Sequence, residues 1–82
     1  MEWIYITFRS ITYAQKGQRL LEREGIRGTL MRAPRWMEPR GCAYALRLAP
    51  DLKKDPGKLL TAGGVPWQKV YASEGRGKVR EL

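Results

Sequence analysis

The chain carries one cysteine, Cys42, set between Gly41 and the run Ala43-Tyr44-Ala45-Leu46-Arg47-Leu48, directly after a stretch rich in proline and arginine. A thiol reacts as its thiolate, the form that attacks, carries sulfur or binds metal, and cationic neighbours favour that form. Arg35 and Arg40 precede Cys42, so the pattern predicts a competent thiol at a loop-to-strand junction. The competing expectation is a small buried apolar residue, the commonest role of a free cysteine. Other chemistry is narrowed sharply. With no histidine, Ser-His and Cys-His pairs, HExxH zinc sites and imidazole acid–base catalysis are excluded. A single cysteine excludes an internal disulfide and a cysteine-based zinc cluster. No metal site, no cofactor and no enzymatic turnover are therefore predicted.

The elements that must position Cys42 are legible along the chain. Residues 3–8 alternate, with Ile4, Ile6 and Phe8 on one face and Trp3, Tyr5 and Thr7 on the other, which predicts a strand with one buried face. Ser10 is placed to cap a helix from Ile11 to Glu24, in which Ile11, Ala14, Gly17, Leu20 and Leu21 recur at helical spacing and Gly25 is the stop. Ile26–Arg32 reads as a second strand, 33–41 as a loop punctuated by Pro34 and Pro39, and Ala43–Leu48 as a third strand. Pro50-Asp51-Leu52 reads as a turn, Pro56 as the start of a short helix ending near Gly63-Gly64, and Val65–Tyr71 as the last strand.

That order, βαββαβ, predicts an α+β fold: a ferredoxin-like split βαβ sandwich, with a four-stranded antiparallel sheet and two helices on one face. One domain is expected over residues 1–72, with 73–82 a mobile basic tail. In this topology strands one and three are central antiparallel neighbours, so the start of strand three lies near the end of strand one and the start of helix one. The N–H groups following Ser10, with Arg9, Arg35 and Arg40, would then favour a thiolate at Cys42.

At 82 residues the chain makes one small domain, which buries only about 60% of its unfolded surface. Sixteen Lys and Arg against eight Asp and Glu give a formal charge of +8, dispersed along the sequence. Such a field attracts anions of every kind, from nucleic acid to an acidic protein or a small oxyanion, and does not choose among them. Met1 leads directly into the first strand, so no signal peptide is predicted, and no apolar run approaches membrane-spanning length. A reducing cytoplasm is the expected location.

Gly25-Ile26, Pro34-Arg35 and Gly41-Cys42-Ala43-Tyr44-Ala45-Leu46-Arg47, preceded by Ile4-Tyr5-Ile6-Thr7-Phe8-Arg9-Ser10, resemble the selenium/sulfur carrier protein-like family of small bacterial proteins. The likeness spans about residues 3–71, and its most specific part is the Gly-Cys-x-x-Ala-Leu-Arg segment. The resemblance implies that Cys42 carries sulfur or selenium as a persulfide or selenosulfide, that Gly41 gives access to it, and that Arg47 is a family-matching strand residue. Pro34 and Arg35 match the loop before it, and donor and acceptor proteins are the implied partners. The sequence departs from the family's pattern in three places. The loop from Arg35 to Gly41 is one residue longer, Gly17 stands where a helix-facing alanine is usual, and Pro56 falls in the second helix.

A rival from another class is a binding module for RNA or an acidic protein, because the RNA recognition motif shares this topology and stacks bases on the open sheet face. Trp3, Tyr5 and Trp67 are the candidate aromatic platform, and Arg40-Gly41-Cys42-Ala43-Tyr44 echoes the start of that motif's signature. The register opposes it. A match would turn Arg47 into the core and leave Leu46 and Leu48 outside, so Tyr44, Leu46 and Leu48 are expected inward. The plainer role for the three aromatics is to cover the sheet face or to pair two subunits as a homodimer.

Overall fold

The computed structural model describes residues 3–35, 43–49, 54–73 and 79–81. In chain order these form β1 (Trp3–Phe8), α1 (Ile11–Arg23), β2 (Gly28–Arg32), β3 (Tyr44–Leu48), α2 (Pro56–Ala62), β4 (Val70–Ser73) and β5 (Val79–Glu81). The strands make one antiparallel sheet in the order β2-β3-β1-β4-β5. The fold is α+β.

Local signals set the helices. Ser10 is extended (φ −136°, ψ 157°) and its Oγ accepts from the Tyr13 N–H at 3.3 Å, which satisfies one of the donors a helix start leaves orphaned. Asp55 does the same for α2, where Oδ1 accepts from the Gly57 and Lys58 N–H groups at 2.9 and 3.3 Å. Pro56 is the first residue of α2, where its missing N–H costs nothing, so this departure from the family's pattern starts the helix rather than dividing it. Both helices stop by the same device. Gly25 (φ 80°) and Gly64 (φ 73°) take the left-handed conformation, and the next residue donates back into the last turn, Ile26 to Leu21 at 2.8 Å and Val65 to Leu60 at 2.9 Å. In each case the two residues so joined are both buried, the apolar contact that accompanies this C-cap.

The core lies between the helices and one face of the sheet. Ala14 and Leu21 of α1 and Leu60 of α2 meet Ile6, Phe8, Leu46 and Leu48, with Ile26 and Val65 closing the ends. Register brings these strand residues into line: Ile6 pairs with Leu46 and Ile4 with Leu48, while Leu46 in turn faces Leu30. Tyr44 also packs against this core, so β3 adopts the inward register for Tyr44, Leu46 and Leu48 that the alternation predicts. Gly17 sits where α1 comes closest to the sheet. A Cβ there would lie 3.0 Å from the Phe8 ring and 3.1 Å from Leu60.

Three expectations are corrected. The strand expected at Val65–Tyr71 is β4, Val70–Ser73, because Val65 and Trp67 turn into the helix-side core and Pro66 between them has no N–H for a ladder. The mobile tail expected over 73–82 does not hold at its described residues: Ser73 ends β4, and Val79–Glu81 pairs with that strand, with Glu81 opposite Tyr71. Ile11 does not belong to the buried stripe of α1, being 43% exposed, since it occupies the first helical position beyond the end of β1. The turn expected at Pro50-Asp51-Leu52 lies outside the described residues.

Candidate functional site

Cys42, Gly41 and Arg40 lie outside the described residues, and the residues flanking them locate the candidate site. Before the segment 36–42, Ala33 is buried, Pro34 half-buried and Arg35 exposed in a turn. After it, Ala43 is buried at 2% exposure, and its carbonyl oxygen accepts from the Ala33 N–H at 3.0 Å. The chain on either side of 36–42 is thus pinned to neighbouring strands. One residue further, Tyr44 faces both Arg32 and Phe8.

This is the end of the sheet at which β1 stops and α1 begins, as the topology requires. Ser10 caps α1 two residues beyond Phe8, and the first turn of α1 holds no acidic residue to offset its positive end. Arg9, Arg32 and Arg35 are all exposed there. Of the supporting residues named from the sequence, the structure brings Ser10, Pro34 and Arg35 to one end of the sheet. Arg32 was missed because it reads as an ordinary strand residue, and only its pairing opposite Tyr44 reveals its place.

Arg47 is not part of this group. It lies four residues beyond Ala43, about 13 Å away at the rise of a strand. It faces Tyr5 on β1 and Thr29 on β2, on the side of the sheet away from the helices. Its guanidinium carbon stands 4.6 Å from the centroid of the Trp3 ring, and its buried Nε has no hydrogen-bond partner. The family-matching arginine therefore holds the far end of the sheet.

The aromatic platform does not assemble as expected. Trp3 and Tyr5 share that second face, but Trp67 is on the helix side, where its Nε1–H donates to the Gly57 carbonyl oxygen at 3.2 Å and to Thr61 Oγ1 at 3.1 Å. The signal that misled was alternation in Val65-Pro66-Trp67, which a loop burying its apolar side chains reproduces as well as a strand does. Among the described residues no three metal-ligating side chains gather, and no helix is long and apolar enough to cross a membrane.

Fold and flanks together define a small α+β protein in which the residues on either side of the thiol-bearing segment lie at a cation-rich end of the sheet. Residues 3–72 match the family described as Putative Se/S carrier protein-like, and the chain belongs to that family. No curated protein and no solved structure matches the chain. The strand β5 lies beyond the matched residues.

Proposed function

We propose that the protein is a sulfur or selenium carrier that holds the atom on Cys42 and has no turnover of its own. Membership of the carrier-like family over residues 3–72, which include the chain's one cysteine, carries this reading. The cationic sheet end flanking that cysteine supports it, since thiolate and persulfide are both anions. Loading needs no external oxidant. The Cys42 thiolate attacks the terminal sulfur of a donor persulfide, forms the Cys42 S–S bond and releases the donor thiolate; a selenosulfide donor reacts likewise at selenium. Delivery is the reverse exchange with an acceptor thiolate. We assign the domain to the ferredoxin-like split βαβ group, a reading supported by the sheet order β2-β3-β1-β4 with a helix in each crossover. We place its action in a reducing cytoplasm, where a lone thiol stays free to exchange.

The aromatic RNA-binding alternative has less support. Trp67 is bound to α2, and Trp3 is stacked with the Arg47 guanidinium.

The test is the pH dependence of Cys42 alkylation in the folded protein, followed by exposure to polysulfide and intact-mass measurement. The expected result is alkylation that sets in well below the free-thiol value of about 8.5, with a stable gain of one sulfur atom. Cys42→Ser should fold normally and gain none. A thiol that reacts only after denaturation would make Cys42 a packing residue and end the carrier reading.

A further inference from the structure

Two observations converge on the first turn of α1. The first is apolar exposure: Ile11 and Tyr13 are 43% and 39% exposed, the large hydrophobics that stand out among the described residues. They straddle the turn. Ile11 lies two helical turns before Gln18, whose side chain donates to the Gly28 carbonyl oxygen at 2.9 Å, so Ile11 is on the flank of α1 that faces β2. Tyr13 stands in the same relation to Leu20, which meets Gly63 at the end of α2, so Tyr13 is on the opposite flank.

The second observation is charge. Arg9, Arg32 and Arg35 are exposed around this end of the sheet, with Lys16 further along α1. Among the described residues the carboxylates lie elsewhere. Glu22 and Glu24 close α1 and Asp55 opens α2 at the opposite end, where Lys54 pairs with Glu24 at 2.8 Å. Glu81 is on the edge strand β5, 3.6 Å from Lys69. The far end mixes both signs, whereas the described residues around the start of α1 carry only positive charge.

We propose that this turn is the docking surface for the carrier's donor and acceptor proteins, and that it selects a partner presenting carboxylates around an apolar contact. The identity of the partners rests on the carrier reading; the surface and its selectivity do not. Ile11, on the flank that faces β2, is the apolar contact and the exposed arginines are its charged rim, the anatomy of a protein interface. A polyanionic strand would match the arginines but leave the aliphatic Ile11 without a role, because bases stack on aromatic or guanidinium planes. A small, charge-steered patch also suits a shuttle, which must meet partners fast and release them.

The experiment measures fluorescence anisotropy of a labelled peptide, one leucine flanked by glutamates, on the Cys42→Ser protein at low and raised salt. Controls are the same peptide with lysines and a uridine oligonucleotide. The glutamate peptide should bind, weaken as salt rises, and lose about tenfold or more in affinity with Ile11→Asp and with the pair Arg32→Glu, Arg35→Glu. Ile11→Asp should fold, since the side chain is 43% exposed and an acidic residue in the first turn favours the helix, and Ile11→Ser, which adds no repelling charge, should weaken binding in the same direction. No binding of the glutamate peptide, or binding indifferent to both sets of substitutions, would overturn the proposal. So would an oligonucleotide that binds more tightly and is lost with the same arginines. Polysulfide loading of Cys42 in an Ile11→Ser protein, which adds no charge at the positive end of α1, separates the two readings. It should match the unsubstituted chain, and if neither loads, the carrier reading fails while the peptide result still judges the surface.

Discussion

The two faces of the sheet are built from alternate residues of the same strands, yet they are different materials. Toward the helices β3 presents Tyr44, Leu46 and Leu48, and β1 presents Ile4, Ile6 and Phe8, most of them fully buried. Away from the helices the same strands present Ala45 and Arg47, and Trp3, Tyr5 and Thr7. There Ala33, Ala43, Ala45 and Tyr71 form a second, smaller cluster with Tyr5 and Met31 against it. The first face gains stability from bulk aliphatic packing, the second from small residues and polar contacts, such as Thr7 Oγ1 accepting from the Lys69 N–H at 3.1 Å. Substitutions of like size should therefore cost very different amounts on the two sides.

The largest effect is expected on the helix side. Leu46→Ala removes a fully buried side chain between β1, β2 and the helices, and should lower stability by about 2–5 kcal/mol in urea unfolding, with an unchanged denaturant slope. A cost below about 1 kcal/mol would mean that the two faces share the burden of folding.

Gly17→Ala sharpens the same comparison at the helix–sheet seam. Alanine improves helix propensity by about 1 kcal/mol, but its Cβ would meet the Phe8 ring at 3.0 Å and Leu60 at 3.1 Å, and both of those side chains are fully buried. Overpacking of this kind costs about 1–3 kcal/mol, so the net change should be a destabilisation of about 1 kcal/mol. Adding Phe8→Leu should reduce the alanine's cost, because the ring atoms at 3.0 Å are gone while the Leu60 methyl at 3.1 Å remains. In this chain the phenylalanine and the glycine fit each other.

How far the sequence reveals this arrangement depends on the length of each signal. The alternation in Trp3–Phe8 runs for six residues, and Ser10 and Gly25 bracket α1 with capping chemistry, so β1 and α1 were readable to within a residue or two. The register of β3 was readable because Leu46 and Leu48 leave only one inward choice. The strand β5 was not, since three residues carry no usable period. Trp67 was misplaced because burial against α2 leaves the same mark in the sequence as burial in a sheet. For the site, the topology places Ser10, Pro34 and Arg35 at one end of the sheet, while Cys42 lies outside the described residues. Arg47 was joined to Cys42 by family likeness alone, and a strand's rise separates that arginine from Ala43 by most of the sheet. The exposed Ile11 was hidden by its place in a helical stripe, which says which residues share a face but not where the covering sheet ends.

The smallest effect tests the second face. Arg47 stacks on Trp3, a contact worth about 0.5–1 kcal/mol where partly exposed, while its buried Nε lacks an acceptor, a cost of about 1–3 kcal/mol. The two terms oppose each other, so Arg47→Met, which keeps the apolar stem over the ring and removes the orphaned donor, should be neutral or stabilising by up to about 1 kcal/mol. A double-mutant cycle with Trp3→Leu isolates the stacking, and its coupling energy should be about 0.5–1 kcal/mol. If Arg47→Met instead costs as much as Leu46→Ala, the guanidinium makes a contact that outweighs its desolvation, and the second face is as structural as the first. Polysulfide loading of Cys42 in the Arg47→Met protein should be unchanged, because the strand holds that guanidinium at the far end of the sheet from Ala43.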